Sequence, residues 1–190
     1  KSILPFCASS KTSIHNHVFL EGVKAALTSD VSYKNGKYKK QPVAGLRAFG
    51  RVYAGWAFSQ DFYREMLYKK LGFKSANDLL NAWAKDHEKN WDANNLLSKL
   101  KTWQLNDISK GPLYKGDYIK ALKSIKANTI LMPCNQDLYF RKEDNIYETK
   151  FIKKVSLKSI NSPYGHCAAN PGNDKNFQIK LDQNISELLI

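Results

Sequence analysis

Cysteine is scarce in this chain. The 190 residues hold Cys7, Cys134 and Cys167, an odd number without a Cys-x-x-Cys pair, so neither a disulfide framework nor a thiolate zinc site is indicated. A reducing, cytoplasmic setting is the expectation. No apolar run approaches the roughly 18 residues of a membrane-spanning helix. No charged, apolar and small-residue succession typical of a secretory leader opens the chain. Acidic residues are also few, 17 against 30 lysines and arginines, for a net charge of +13. There are no internal repeats.

What is present points to a packed domain. Apolar residues make up 43% and aromatic residues 12%, too much for a disordered chain. The length suits one domain and a real core. The basic charge reads as a solvated lysine-rich surface. Its densest stretches, 34–40 and 120–126, are short, and lysines are scattered elsewhere. Nucleic-acid binders concentrate Lys and Arg on one patch or arm, so no nucleic-acid partner and no membrane partner are expected.

The apolar pattern changes along the chain. Ser2-Ile3-Leu4-Pro5-Phe6-Cys7 reads as a buried strand running into a polar loop. A buried strand at the first residue suggests that the chain has been cut from something longer. A helix is expected over 16–27 and a turn-rich stretch over 30–41 around Asn35-Gly36. From Pro42 to about Ile108 the pattern is helical, with breaks near Gly55, at Leu71-Gly72-Phe73 and around Asn90. Ser75 and Asp78 form a capping-box-like start, and all four tryptophans lie in this block, where they read as packing anchors. Asp117 should cap a short helix. The run 128–134 is continuously apolar, as in a parallel strand covered on both faces. A crossover helix over 143–152, a more peripheral strand over 155–160 and a closing helix over 176–189 follow. That alternation is an α/β signature, and three strands amount to part of such a domain.

In open α/β sheets functional groups gather at the carboxyl ends of the strands. Two loops meet that rule, Asn135-Gln136-Asp137-Leu138-Tyr139-Phe140 and Asn161-Ser162-Pro163-Tyr164-Gly165-His166-Cys167. An acid on one loop and a histidine on the next can pair at one sheet edge. The carboxylate then fixes the tautomer of the imidazole and stabilises its protonated form. Asp137 and His166 are therefore the candidate catalytic acid and base. No nucleophile accompanies them: no glycine here is followed two positions later by serine, as a G-x-S-x-G elbow requires. Cys134 and Cys167 flank the two loops but read as packing thiols. His15 and His17 have no third ligand at a sensible spacing, so no metal is expected.

At these residues the chain resembles the carboxyl-terminal half of the homoserine O-acetyltransferase-like branch of the α/β-hydrolases. The resemblance runs through His15-Asn16-His17-Val18-Phe19-Leu20-Glu21-Gly22, the segment from Gly45 to Trp56, Asp92-Ala93-Asn94-Asn95-Leu96-Leu97 and Thr102-Trp103-Gln104. Its most specific pieces are Met132-Pro133-Cys134-Asn135-Gln136-Asp137-Leu138-Tyr139-Phe140 and Tyr164-Gly165-His166-Cys167-Ala168-Ala169-Asn170-Pro171-Gly172. It implies an α/β fold, specifically a partial α/β-hydrolase fold: the carboxyl-terminal strands of a mostly parallel sheet with a helical lid insertion. Residues 1–190 would be one incomplete domain, with 1–41 in the core, 42–110 the helical lid and 111–190 the core segment bearing the triad Asp137 and His166. Homoserine acetyltransferases usually have an acidic residue after the catalytic histidine. Here Cys167-Ala168 follows His166, which is closer to a sister group of α/β-fold hydrolases.

The implied activity is acyl transfer or ester hydrolysis, with the nucleophilic serine and its oxyanion hole in an amino-terminal half of the same domain, which would be this chain's first partner. No resident cofactor is implied, though acetyl-CoA could serve as co-substrate. The other partners would be a small-molecule acyl donor and acceptor, and a homodimer is open. Arg51, with Arg47 as second choice, would hold a substrate carboxylate. Two rival readings, a non-catalytic basic binding module and an inactive hydrolase-fold scaffold, predict little change in turnover when His166 is replaced by alanine.

Overall fold

The computed structural model describes residues 1–170 and 172–189. Pro171, inside the last resembling segment, and Ile190 lie outside the described residues. Contacts divide the chain into two compact units, one formed by Lys1–Lys11, Ala57–Phe62 and the residues from Asp107 onward, the other by Thr12–Trp56 and Tyr63–Asn106.

The first unit is built on a three-stranded parallel sheet in the order β1-β2-β3. Its strands are β1 (Ser2–Ile3), β2 (Asn128–Leu131) and β3 (Val155–Leu157). Thr129 is in register with Val155 and Leu131 with Leu157. Isolated bridges from Phe6 to Met132 and from Cys134 to Ile160 carry the pairing onward to the carboxyl ends. From Thr129 to Cys134 the run is buried, and successive side chains point to opposite faces, whereas Asn128 is exposed. Met132 and Cys134 pack with Cys7, Ile160, Ala168 and Phe177 on one side. Leu131 packs with Leu122 and Ile152 on the other. Leu122 comes from α6 (Tyr118–Lys123) and Phe177 from α8 (Lys175–Leu189), while Ile152 lies just after α7 (Lys142–Thr149). Asp117 caps α6 as expected, accepting from the Lys120 N–H at 2.9 Å.

The opening strand departs from its reading. Ser2 and Ile3 are exposed, and Ile3 and Phe6 keep 41% and 38% of their surface open. Among the described residues β1 pairs only with β2, so the apolar run is covered from one flank. Burial begins at Cys7.

The second unit is helical, with α1 (Ile14–Thr28), most of α2 (Val43–Ala57), α4 (Ala76–Asn90) and α5 (Ala93–Leu105). The short α3 (Gln60–Arg64) straddles the boundary between the two units. Sequence caps set the starts of three helices: Ser13, Ser75 and Asp92 each accept a backbone N–H from the first turn. Leu20, Val23, Leu27, Leu46, Phe49 and Leu79 fill the interior, while all four tryptophans are half-buried. Of the segments read from sequence, this compact unit takes in α1 together with most of the 42–110 block.

Candidate active site

The parallel sheet delivers three chain segments to one edge. The first ends at Cys7, whose N–H donates to Met132 O at 3.2 Å. The second leaves β2 and turns at Asn135, whose N–H donates to Ile160 O at 2.8 Å. The third leaves β3 and turns into a short 3₁₀ segment, Gly165–Ala169, that carries His166.

Asp137 is fully buried. Its Oδ1 accepts from the backbone N–H groups of Tyr139 at 2.7 Å and Phe140 at 3.2 Å. Its Oδ2 lies 2.9 Å from His166 Nδ1. Because a carboxylate only accepts, Nδ1 carries the proton and Nε2 is left as the basic nitrogen. The pairing expected from sequence is therefore present. The His166 side chain is 34% exposed, which leaves the imidazole reachable while its partner is not. Tyr139 packs edge-on against the ring at 5.0 Å and Phe140 lies at 5.4 Å.

The histidine loop is held from below. Gln136 Oε1 accepts from Ser162 N–H at 2.7 Å, and Asn135 Nδ2 donates to Asn161 Oδ1 at 2.6 Å. Gly165, with φ +60°, could not carry a side chain: an added Cβ would stand 2.8 Å from the Ser59 backbone nitrogen and 3.3 Å from Gln136 O. Glycine here lets the His166 turn settle directly on the main chain of 58–59.

The three thiols are all buried. Burial pushes Cys134 up to about 11 and Cys167 up to about 12, so both are poor nucleophiles at neutral pH, in line with their reading as packing groups. Cys7 is the residue that sequence reasoning passed over. Its backbone is left-handed, with φ 45°. Its sulfur, a carboxylate oxygen of Asp137 and a ring nitrogen of His166 all lie within 4.8 Å of one another. The strand-end rule that found the other two would have found Cys7 had it been applied to the first apolar run. Burial, then the adjacent Asp137, hold this thiol protonated. His15 and His17 are both exposed on α1, and His15 stacks against Trp56 at 5.0 Å.

Arg47 and Arg51 belong to the helical unit, one turn apart on α2 and both exposed. Arg47 pairs with Glu88 at 2.9 Å, and Arg51 donates to the Asn81 carboxamide.

Comparison with known proteins fits this geometry. No family model matches the chain. Over its full length it superimposes on the acetyl esterase MekB with a TM-score of 0.93 and 30% identity, covering 55% of that chain. The chain is part of an α/β-hydrolase fold. Curated relatives include the ethyl acetate hydrolase of Pseudomonas veronii, 30% identical over 191 aligned positions, with 100% of this chain and 54% of that protein covered. Another is the homoserine O-acetyltransferase of Trichormus variabilis, 25% identical with 88% and 47% covered. The chain thus spans about half the length of the curated relatives it matches. The resemblance read from its loops extends to the esterases as well as to the homoserine acyltransferases.

Proposed function

We propose that the protein carrying this chain transfers or hydrolyses short acyl groups, with Asp137 and His166 as the acid and base of a triad. The observation that carries the reading is the 2.9 Å contact between a fully buried carboxylate and a partly open imidazole. Relatives named as an ethyl acetate hydrolase and a homoserine O-acetyltransferase support the reaction class.

The nucleophile in this reading is a serine from residues outside these 190, since the chain holds no G-x-S-x-G sequence. His166 Nε2 takes the serine proton as the hydroxyl attacks the acyl carbon and returns it to the leaving alcohol. Asp137 stays ionised and stabilises the imidazolium. Water or a second alcohol then accepts the acyl group, and a thioester such as acetyl-CoA could equally be the donor. Arg51 is the better candidate for an anionic substrate group, because its partner Asn81 is neutral whereas Arg47 is already paired with Glu88.

The test is turnover of short acetyl esters by the protein and its His166→Ala variant. A loss of roughly a thousandfold or more in kcat is expected. Unchanged turnover would overturn the reading and favour a scaffold or binding role.

A further inference from the structure

The catalytic pair has a third neighbour that acyl transfer does not use. Cys7 is 4% exposed and shares with Asp137 and His166 a cluster in which sulfur, oxygen and nitrogen all lie within 4.8 Å of one another. A point central to three such atoms needs side-chain movements of about half an ångström to reach the 2.0–2.3 Å typical of Zn–N, Zn–O and Zn–S bonds. Soft sulfur, borderline imidazole and hard carboxylate together select Zn²⁺-like ions over Mg²⁺ or Ca²⁺.

We propose that Cys7, Asp137 and His166 form an inhibitory binding site for a thiophilic divalent cation. The charges match: a thiolate, a carboxylate and a neutral imidazole balance the two positive charges. Asp137, fully buried beside Cys7 and His166, places a carboxylate where a cation would sit. Entry is by way of His166, whose side chain is 34% exposed while Asp137 is closed off.

The proton balance follows from the existing hydrogen bond. Binding releases the Cys7 thiol proton to solvent, and the imidazole proton passes from Nδ1 to Nε2 as Nδ1 takes the metal. Protonated Nε2 can no longer accept a proton from a nucleophile, so the occupied site is switched off as a general base. This consequence rests on the acyl-transfer reading, whereas the binding itself does not.

The experiment titrates the reduced protein with Co²⁺, following the thiolate-to-metal charge-transfer band and the protons released. One equivalent should bind with release of one proton, and Zn²⁺ should displace it. Cys7→Ser should abolish the band and His166→Ala should weaken binding at least tenfold, whereas Cys134→Ser and Cys167→Ser should leave it unchanged. Cys7→Ala, checked for native circular dichroism, guards against misfolding of the serine variant. A band that survives both Cys7 variants, depends on Cys134 or Cys167, or never forms at stoichiometric Co²⁺ would overturn the proposal. Turnover is not read in this titration, so a failure of the acyl-transfer reading would show separately in the His166→Ala ester assay.

Discussion

The Tyr139 N–H donates to Asp137 Oδ1 at 2.7 Å, so the loop that carries the acid also folds around it. One oxygen of the carboxylate is held by its own backbone turn, and the other is aimed at His166. Orientation of the imidazole is thus inherited from a local turn, the Asx-type arrangement that Asp adopts readily.

Asp137→Asn should keep the loop and remove the charge. The amide can still accept from Tyr139, but it no longer stabilises an imidazolium or enforces the Nδ1–H tautomer. A fall in kcat of about 10³–10⁴ with nearly unchanged KM is expected. Steady-state kinetics on an acetyl ester checks it, and equal activity in the two proteins would contradict the role.

Gly165→Ala should act on stability and on His166 together. The new methyl would stand 2.8 Å from Ser59 N at a φ of +60°, and strain with overpacking of this kind costs about 2–4 kcal/mol. Thermal melts should show a clear drop in Tm. Turnover at a temperature where the variant is still folded should drop as well, because the His166 turn must move.

Glu148 sits in the α7 part of the core, almost wholly buried, and accepts from Ser10 N–H at 2.8 Å, Ser10 Oγ at 2.6 Å and Asn145 Nδ2 at 2.8 Å. Glu148→Ala leaves those donors unpaired, a loss of about 2–4 kcal/mol. Glu148→Gln retains one acceptor and should lose less. Chemical denaturation of the two variants ranks them. Equal stabilities would show that the network contributes little.

His87 predicts a pH effect in the helical unit. Its Nδ1 lies 2.8 Å from Trp83 O, and burial lowers its pKa below the ordinary 6.5. The unfolded chain therefore takes up a proton at a higher pH than the folded one. Stability should be unaffected by this group above about pH 6.5 and fall as the pH drops below it. His87→Phe should remove that component of the Tm-against-pH curve, and identical curves for the two proteins would count against it.

Much of this protein is legible from local chemistry. Caps at Ser75 and Asp117, the apolar run through Met132 and the alternation after Val155 set elements that the structure reproduces within a few residues, because each signal depends on neighbours close in sequence. Asp137 and His166 were legible for a related reason: loops that follow parallel strands share one sheet edge. What only the tertiary structure decided is which groups meet there and how closely. Cys7 joins the pair because β1 lies beside β2, and Gly165 is obligatory because the chain at Ser59 passes beneath it. The same holds for β1: among the described residues it pairs only with β2, so Ile3 keeps 41% of its surface open. Contacts between residues far apart in sequence leave no periodic trace in the chain, so only the folded packing could set them.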